Sequence, residues 1–415
     1  MLDSLTVAML WFIVLYPPVT AAFWIAGGLV FRLSDERTDV EHPPPGGWPP
    51  LTMLIPAYNE EQVIRTCVRA ALAVDYPELD VVVLDDGSTD ATASAAEDAG
   101  GGDPRLQVVR DETNLGKAER LNAGFRLARH ELVIVCDADT HMHPAAPKLL
   151  VARLLRSRLT VAVAAGPHVT NRVNLLCAMQ TIEAASIIGL IRRTSSLRGR
   201  VGTVAGVLAL FRRAPVLEVG GFRGQMATED IDLTWRLLMA GWHTTFEPDA
   251  LIGMQVPSRL SALWAQRCRW ARGQGEVLHD HLGSIVRWRQ RGMWPTALES
   301  VLSLVWVSAW ALAFLFALVD LFVPGWGTVF GLAIACGVAI AVVCTLQVAL
   351  ALSLDARYDA GALRAFLLGP LYPLFFWAVS ALAALRAELP ALVRGPAERR
   401  VVWDIARDRS ETAAD

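Results

Sequence analysis

Residues 5–31, LTVAMLWFIVLYPPVTAAFWIAGGLVF, carry no charged side chain. A helix needs about 20 mostly apolar residues to cross a bilayer, and this run is long enough. Three further apolar runs lie near the C-terminus. They are 300–319, 321–354 (interrupted by PGWG) and 365–385 (which holds Pro370 and Pro373). Between the first run and these lies a mixed-charge stretch, 32–290, large enough to bury its own core. The chain therefore reads as a membrane protein with one large soluble domain. Its divisions are an N-terminal span (1–37), a soluble domain (38–257), amphipathic interfacial helices (258–294), C-terminal spans (295–387) and a tail (388–415).

The first span reads as an anchor, because MLDS has an acid and no Lys or Arg, and the apolar run exceeds a signal-peptide core. Arg32 and Arg37 follow it directly, which places the domain in the cytoplasm. Segment 365–385 is expected to dip into the bilayer and return, keeping the arginine-rich tail cytoplasmic. Cys67, Cys136, Cys177, Cys268, Cys336 and Cys344 show no metal-ligand spacing, which fits a reducing compartment. A net charge of −3 gives no sign of a nucleic-acid partner. EHPPPGGWPP, 41–50, reads as a stiff linker.

The soluble part repeats one design. LTMLIPAYNE, LDVVVLDDGSTD and HELVIVCDADT are each a continuous apolar run that ends in polar residues. Such runs, alternating with helical patterns, indicate a parallel sheet buried on both faces. Ligands of these sheets bind beyond the carboxyl ends of the strands. The three polar clusters should therefore meet on one rim.

Each cluster also has a plain explanation, since strand-end Asp and Asn are common turn formers. A second carboxylate two residues on is more than a turn needs. Asp137 and Asp139 are placed to share a hard divalent cation with diphosphate oxygens. In NLGKAERLN, Gly116 allows close backbone approach and Lys117 offers a point charge for phosphate. Asp86 and Asn59 suit hydrogen bonds to a base or ribose.

Two further stretches carry chemistry. TEDIDLTWRLLMAGW opens with Glu229, Asp230 and Asp232 at the mouth of a helical pattern, where acids also serve as caps. QRCRWARGQGEV places Gln266, Arg269 and Trp270 on one helix face. That helix lies in a stretch rich in Arg and apolar residues, 258–294, of the kind that rests in a membrane interface. Trp270 also offers a flat apolar platform for a sugar, and Arg269 a fork for diphosphate.

In this order, PAYNE, DDGSTD, NLGKAERLN, DAD, TEDID and QRCRW resemble the membrane-embedded processive glycosyltransferases of family 2, which include cellulose, chitin and hyaluronan synthases. The chain is most similar to the bacterial poly-β-1,6-N-acetylglucosamine synthases of biofilm matrix. It differs from their pattern in having one N-terminal span, and AGPHV and WDIARDRS at two motif positions. The resemblance implies a GT-A-like, Rossmann-like α/β cytoplasmic domain with a mostly parallel sheet, plus an α-helical transmembrane region. It implies Asp230 as catalytic base, positioned by Thr228 and Glu229, with Asp232 in support. It carries over Pro56, Tyr58, Asn59, Glu60, Asp86, Lys117, Asp137, Gln266, Arg269 and Trp270 as binding residues, and Asp137 and Asp139 as ligands of Mg²⁺ or Mn²⁺. The implied partners are UDP-N-acetylglucosamine, the growing polysaccharide, the lipid bilayer, a small membrane subunit and cyclic di-GMP. The implied location is the bacterial inner membrane, crossed several times. The alternatives are another family 2 synthase (chitin-oligosaccharide, hyaluronan or cellulose-like) and a non-enzymatic membrane scaffold or transporter. A decayed site would have lost Asp137, Asp139 or Asp230, and all three are present.

Overall fold

The structure, a computed structural model, describes residues 4–204, 207–320 and 327–397. It divides into two compact units: a helical one containing 4–34, 172–197 and 256–395, and an α/β one built on 35–171 and 198–255.

The α/β unit holds an eight-stranded sheet. Its strands are β1 (Leu51–Ala57), β2 (Leu79–Asp85), β3 (Leu106–Arg110), β4 (Leu132–Cys136), β5 (His141–Met142), β6 (Thr160–Val169), β7 (Leu208–Arg212) and β8 (His243–Met254). Their order is β3-β2-β1-β4-β7-β6-β8-β5. β3, β2, β1 and β4 run parallel, and β6 is parallel to β8. β7 lies antiparallel between β4 and β6, and β5 pairs antiparallel with β8.

The three runs singled out in the sequence are β1, β2 and β4, which are neighbours, with β1 in the middle. From β1 the chain first adds strands on one side and later returns to the other, so a topological switch point opens between β1 and β4. A ligand crevice forms at such a point. β1 is buried along its whole length, as a strand covered on both faces must be. One core packs the sheet against helices Ile64–Leu72, Thr92–Gly100 and Ala146–Leu155. The other packs it against Lys117–Leu127 and Glu229–Met239.

The segment before β1 is tied down, not free. Arg153, almost fully buried, pairs with Glu247 at 3.1 Å and with Asp35 at 2.9 Å. Tyr76 Oη donates to the Pro49 carbonyl at 2.6 Å, so the proline-rich linker has a fixed end.

In the helical unit, four described helical runs are long and apolar enough to cross a membrane: Val7–Ser34, Leu175–Ser196, Trp288–Leu315 and Phe375–Arg394. The apolar helix Gly327–Asp355 adds to them. Three details add to the sequence reading. Residues 172–197, placed by sequence inside 38–257, pack with the apolar helices. There Met179, Ile182, Ala185 and Leu190 bury against Trp24, Leu263, Leu352 and Phe376, and Thr194 Oγ1 donates to the Trp24 carbonyl at 3.1 Å. In helix Leu260–Ile285, Leu263, Val277 and Leu278 are fully buried within the protein, while Leu260 is exposed. Within segment 365–385 the 3₁₀ helix Ala360–Leu368 ends in a turn at 369–371, beside Pro370, before a second helix begins at Tyr372. Pro373 sits in the first turn of helix Tyr372–Ala383, where its missing N–H costs nothing, and the helical run continues to Arg394. The PGWG break and the tail beyond 397 lie outside the described residues.

Gly87, at the end of β2, has φ +72°, and a Cβ there would stand 2.7 Å from the Thr113 carbonyl carbon. The loop that delivers Lys117 is thus seated directly on this glycine. Gly87→Ala combines a left-handed φ with a backbone clash, each costing on the order of 1–3 kcal/mol. The expected loss is about 2–4 kcal/mol, seen as a lower midpoint of thermal unfolding. An unchanged midpoint would show that this seat is not needed.

Candidate functional site

The rim above β2, β1 and β4 is built from loops that brace one another. After β1, Asn59 adopts φ +55°, a left-handed conformation that Asn tolerates better than most residues. Its Oδ1 accepts from the Thr89 N–H at 2.9 Å, and its own N–H donates to Ser88 Oγ at 2.9 Å. The N–H of Glu60 donates to Thr92 Oγ1 at 2.7 Å. Pro56 and Glu60 are buried, and Tyr58 is half-buried beside them.

Asp86 is fully buried and occupied. Its carboxylate accepts from the N–H groups of Leu115 at 2.9 Å and Gly116 at 2.7 Å, and pairs with Arg120 Nε at 3.1 Å. Burial pushes its carboxyl above the usual range, against the two N–H bonds and the guanidinium. What Asp86 visibly does is hold the loop from which Lys117 projects. Arg120, which also pairs with Asp111, was not singled out by sequence. Its signal was its position, three residues after Lys117 and so on the same side of the helix.

Lys117 Nζ donates to Asp137 Oδ1 at 2.5 Å. Burial draws the ammonium toward its neutral form, but the carboxylates of Asp137, Glu229 and Asp230 outweigh this and hold it above its ordinary value. Burial likewise pushes the Asp137 carboxyl up; Asp139 and Asp230 add to this, and Lys117 opposes it. These couplings bring together the acids of DAD, the lysine of NLGKAERLN and the acids of TED. Three motifs far apart in sequence share one electrostatic site.

The acids of TEDID point to different partners. Asp230 Oδ1 accepts from the Ile231 N–H at 2.9 Å, at the first turn of helix Glu229–Met239. Asp232 is fully buried and turned elsewhere: Arg223 and Arg236 both grip its carboxylate, Arg223 Nε at 2.8 Å and Arg236 Nε at 2.9 Å. Arg236 also donates to the carbonyls of Val219, at 2.6 Å, and Gly221, at 2.5 Å. Asn122 secures the same turn from the other side. Its Nδ2 donates to the Phe222 carbonyl, and its Oδ1 accepts the Phe222 N–H, both at 2.8 Å. Sequence reasoning missed Asn122, whose partner lies one hundred residues away. Thr228 precedes the helix without capping it, and its buried hydroxyl has no protein hydrogen-bond partner.

Gln266, Arg269 and Trp270 belong to the helical unit, on Leu260–Ile285. Arg267, between them, is the residue that sequence overlooked. It pairs with Glu183 at 2.5 Å and lies 4.2 Å from the centroid of the Trp270 ring. One face of Trp270 is thereby fixed by cation–π contact, while the residue remains 37% exposed. Gln266 Oε1 is buried without a partner, and Arg269 is exposed.

The family described as Glycosyltransferase like family 2 matches residues 49–273, more than half of the chain. The chain belongs to this family. A poly-β-1,6-N-acetyl-D-glucosamine synthase of Staphylococcus aureus (strain COL) is 33% identical over 303 residues, covering 71% of this chain and 73% of that protein. The enzyme of the same name from Staphylococcus epidermidis is 29% identical over 393 residues, covering 92% and 94%. Among solved structures, a mannosyltransferase of Pyrobaculum calidifontis in complex with GDP-Man and Mn²⁺ shares the fold. Its TM-score is 0.57 at 22% identity, over 92% of this chain and 98% of that one. The protein is thus a family 2 glycosyltransferase with a GT-A-like domain, as its motifs implied, and a membrane protein.

The two acids of one helix give a direct contrast in stability. Asp232→Asn leaves two arginines facing a neutral group, and breaking a buried pair costs about 3–5 kcal/mol. Arg223 reaches solvent, so about 3 kcal/mol is expected. Asp230→Asn should shift stability by less than about 0.5 kcal/mol, since Asn and Asp rank alike at helix starts. Equal losses in the two variants, measured by thermal unfolding in detergent, would contradict this division.

Proposed function

We propose that this glycosyltransferase polymerises N-acetylglucosamine from UDP-N-acetylglucosamine into a β-1,6-linked exopolysaccharide, and that its helices pass the chain across the bacterial inner membrane. The observation that carries the reading is the meeting of Asp230, Glu229, Asp137 and Lys117 at the rim. The names of the similar synthases support this choice of sugar and linkage.

In this reading an acceptor hydroxyl oxygen attacks the anomeric carbon, and the bond from that carbon to the diphosphate breaks. Asp230 takes the hydroxyl proton as general base. Its anchored oxygen and the adjoining Thr228 and Glu229 set its direction. UDP leaves with its charge met by Lys117, which stays protonated throughout the physiological range.

The donor set fits a hard divalent ion. Asp137, Glu229 and Asp230 act on one ammonium and Asp139 acts on Asp137, an excess of negative charge that a cation relieves. Among the described residues no three ligating groups close a cage on their own. That suits an ion that completes its shell with phosphate oxygens. Mg²⁺ or Mn²⁺ on Asp137 and Asp139 would stabilise the diphosphate charge. Asp86 enters the reading as the carboxylate that sets the loop of Lys117, with Tyr58 and Asn59 nearer the nucleoside. The resemblance assigns Gln266, Arg269 and Trp270, on the helical unit, to acceptor and donor binding. A small membrane subunit and cyclic di-GMP control enter through the resemblance alone.

Asp230→Asn should express and bind UDP normally while turnover falls by about 10²–10⁴-fold, the usual worth of a general base. Turnover within a fewfold of wild type would return Asp230 to a capping role. Trp270→Ala should shorten the polymer more than it weakens donor binding, because an aromatic stacking platform is worth about 1–3 kcal/mol. Unchanged polymer length, read on a gel, would remove Trp270 from the acceptor path.

A further inference from the structure

Helix Leu260–Ile285 ends before the basic stretch VRWRQRGMW is complete. The next residues, Trp288–Met293, form a tight 3₁₀ turn that leads into helix Trp294–Asp320. Met293, fully buried, pins the turn to the protein. The rest faces outward: Val286 is 67% and Trp288 69% exposed, and Arg287, Arg289, Arg291 and Trp294 are exposed as well.

These side chains are arranged, not splayed. Trp294 Nε1 donates to the Ile285 carbonyl at 2.8 Å, and its ring meets Trp288 edge-on at 5.4 Å between centroids. Arg291 lies 5.4 Å from the Trp288 ring centroid. No Asp or Glu occurs from His281 to Leu298. Among the described residues none of the three arginines is held in an ion pair. Three guanidinium groups and two fixed indoles thus share one short turn at the start of an apolar run long enough to cross a membrane.

We propose that the turn 286–294 is a docking site for anionic phospholipid headgroups. Indoles settle at headgroup depth, with the ring body in the acyl boundary and the polar edge in water. Guanidinium forks match phosphate oxygens. The positive charge, with no acid in the segment, selects a lipid of net negative charge over a zwitterionic one. The turn therefore fixes the depth of the apolar run that follows, and with it the membrane end of the helix that bears Trp270.

The full chain in detergent, titrated with phosphatidylglycerol or phosphatidylcholine and read by native mass spectrometry, tests this. The first phosphatidylglycerol should be retained at least about tenfold better at low salt, since each basic residue near an anionic lipid contributes about fivefold. Raised salt should reduce the preference. Arg287→Gln, Arg289→Gln and Arg291→Gln combined should abolish it, and the same three positions changed to Lys should keep most of it. Equal retention of the two lipids by the wild type, or a glutamine variant that keeps the preference, overturns the proposal. Should the glutamine variant fail to fold, loss of the preference in the folded lysine variant overturns it equally. Displacement of the lipid by inorganic phosphate beyond what chloride of equal ionic strength achieves would overturn it too, by showing a phosphate site without lipid recognition.

Discussion

One ammonium group, that of Lys117, holds together a site that would otherwise repel itself. Asp137 comes from the end of β4 and Glu229 and Asp230 from the start of a helix, and all three act on this lysine. Removing such charges from water is costly, and only close opposite charge compensates. The surrounding structure consists largely of devices that fix where Lys117 stands. Gly87 seats its loop, Asp86 binds the loop's N–H groups, and Arg120 secures Asp86 from below. The switch point between β1 and β4 supplies the opening above it.

The helix that opens with three acids shows how one local pattern serves two ends. Asp232 is spent inward on Arg223 and Arg236, which also hold the preceding turn through its carbonyls. The helix that begins with Glu229 and Asp230 is thereby tied to the turn before it. The proposed role of Asp230 as base needs such support, because small misplacements are expensive in rate.

Much of this was legible in the sequence for a plain reason. β1, β2 and β4 are buried on both faces, so their residues are continuous apolar runs, and their ends must be polar where the chain leaves the sheet. β7 was missed as an antiparallel insertion because LALFR carries no sign of its partner's direction. Residues 172–197 group with the helical unit, which the sequence does not show because an apolar helix reads alike against a soluble core or against other apolar helices. Arg120, Asn122 and Arg267 escaped notice because their partners are distant in sequence or lie outside the motif's own face. Asp86 was legible as important, and its burial beneath the loop was not.

Whether this rim, and not a decayed remnant of it, transfers N-acetylglucosamine is read most directly from its product. Membranes containing the protein should be incubated with each common UDP-sugar in turn, with divalent ion supplied, and any polymer digested with linkage-specific glycosidases. Polymer is expected from UDP-N-acetylglucosamine alone, cut by an enzyme specific for β-1,6 linkages and abolished by chelation. Polymer from a different sugar, or no polymer from any of them in membranes holding folded protein, would contradict this reading.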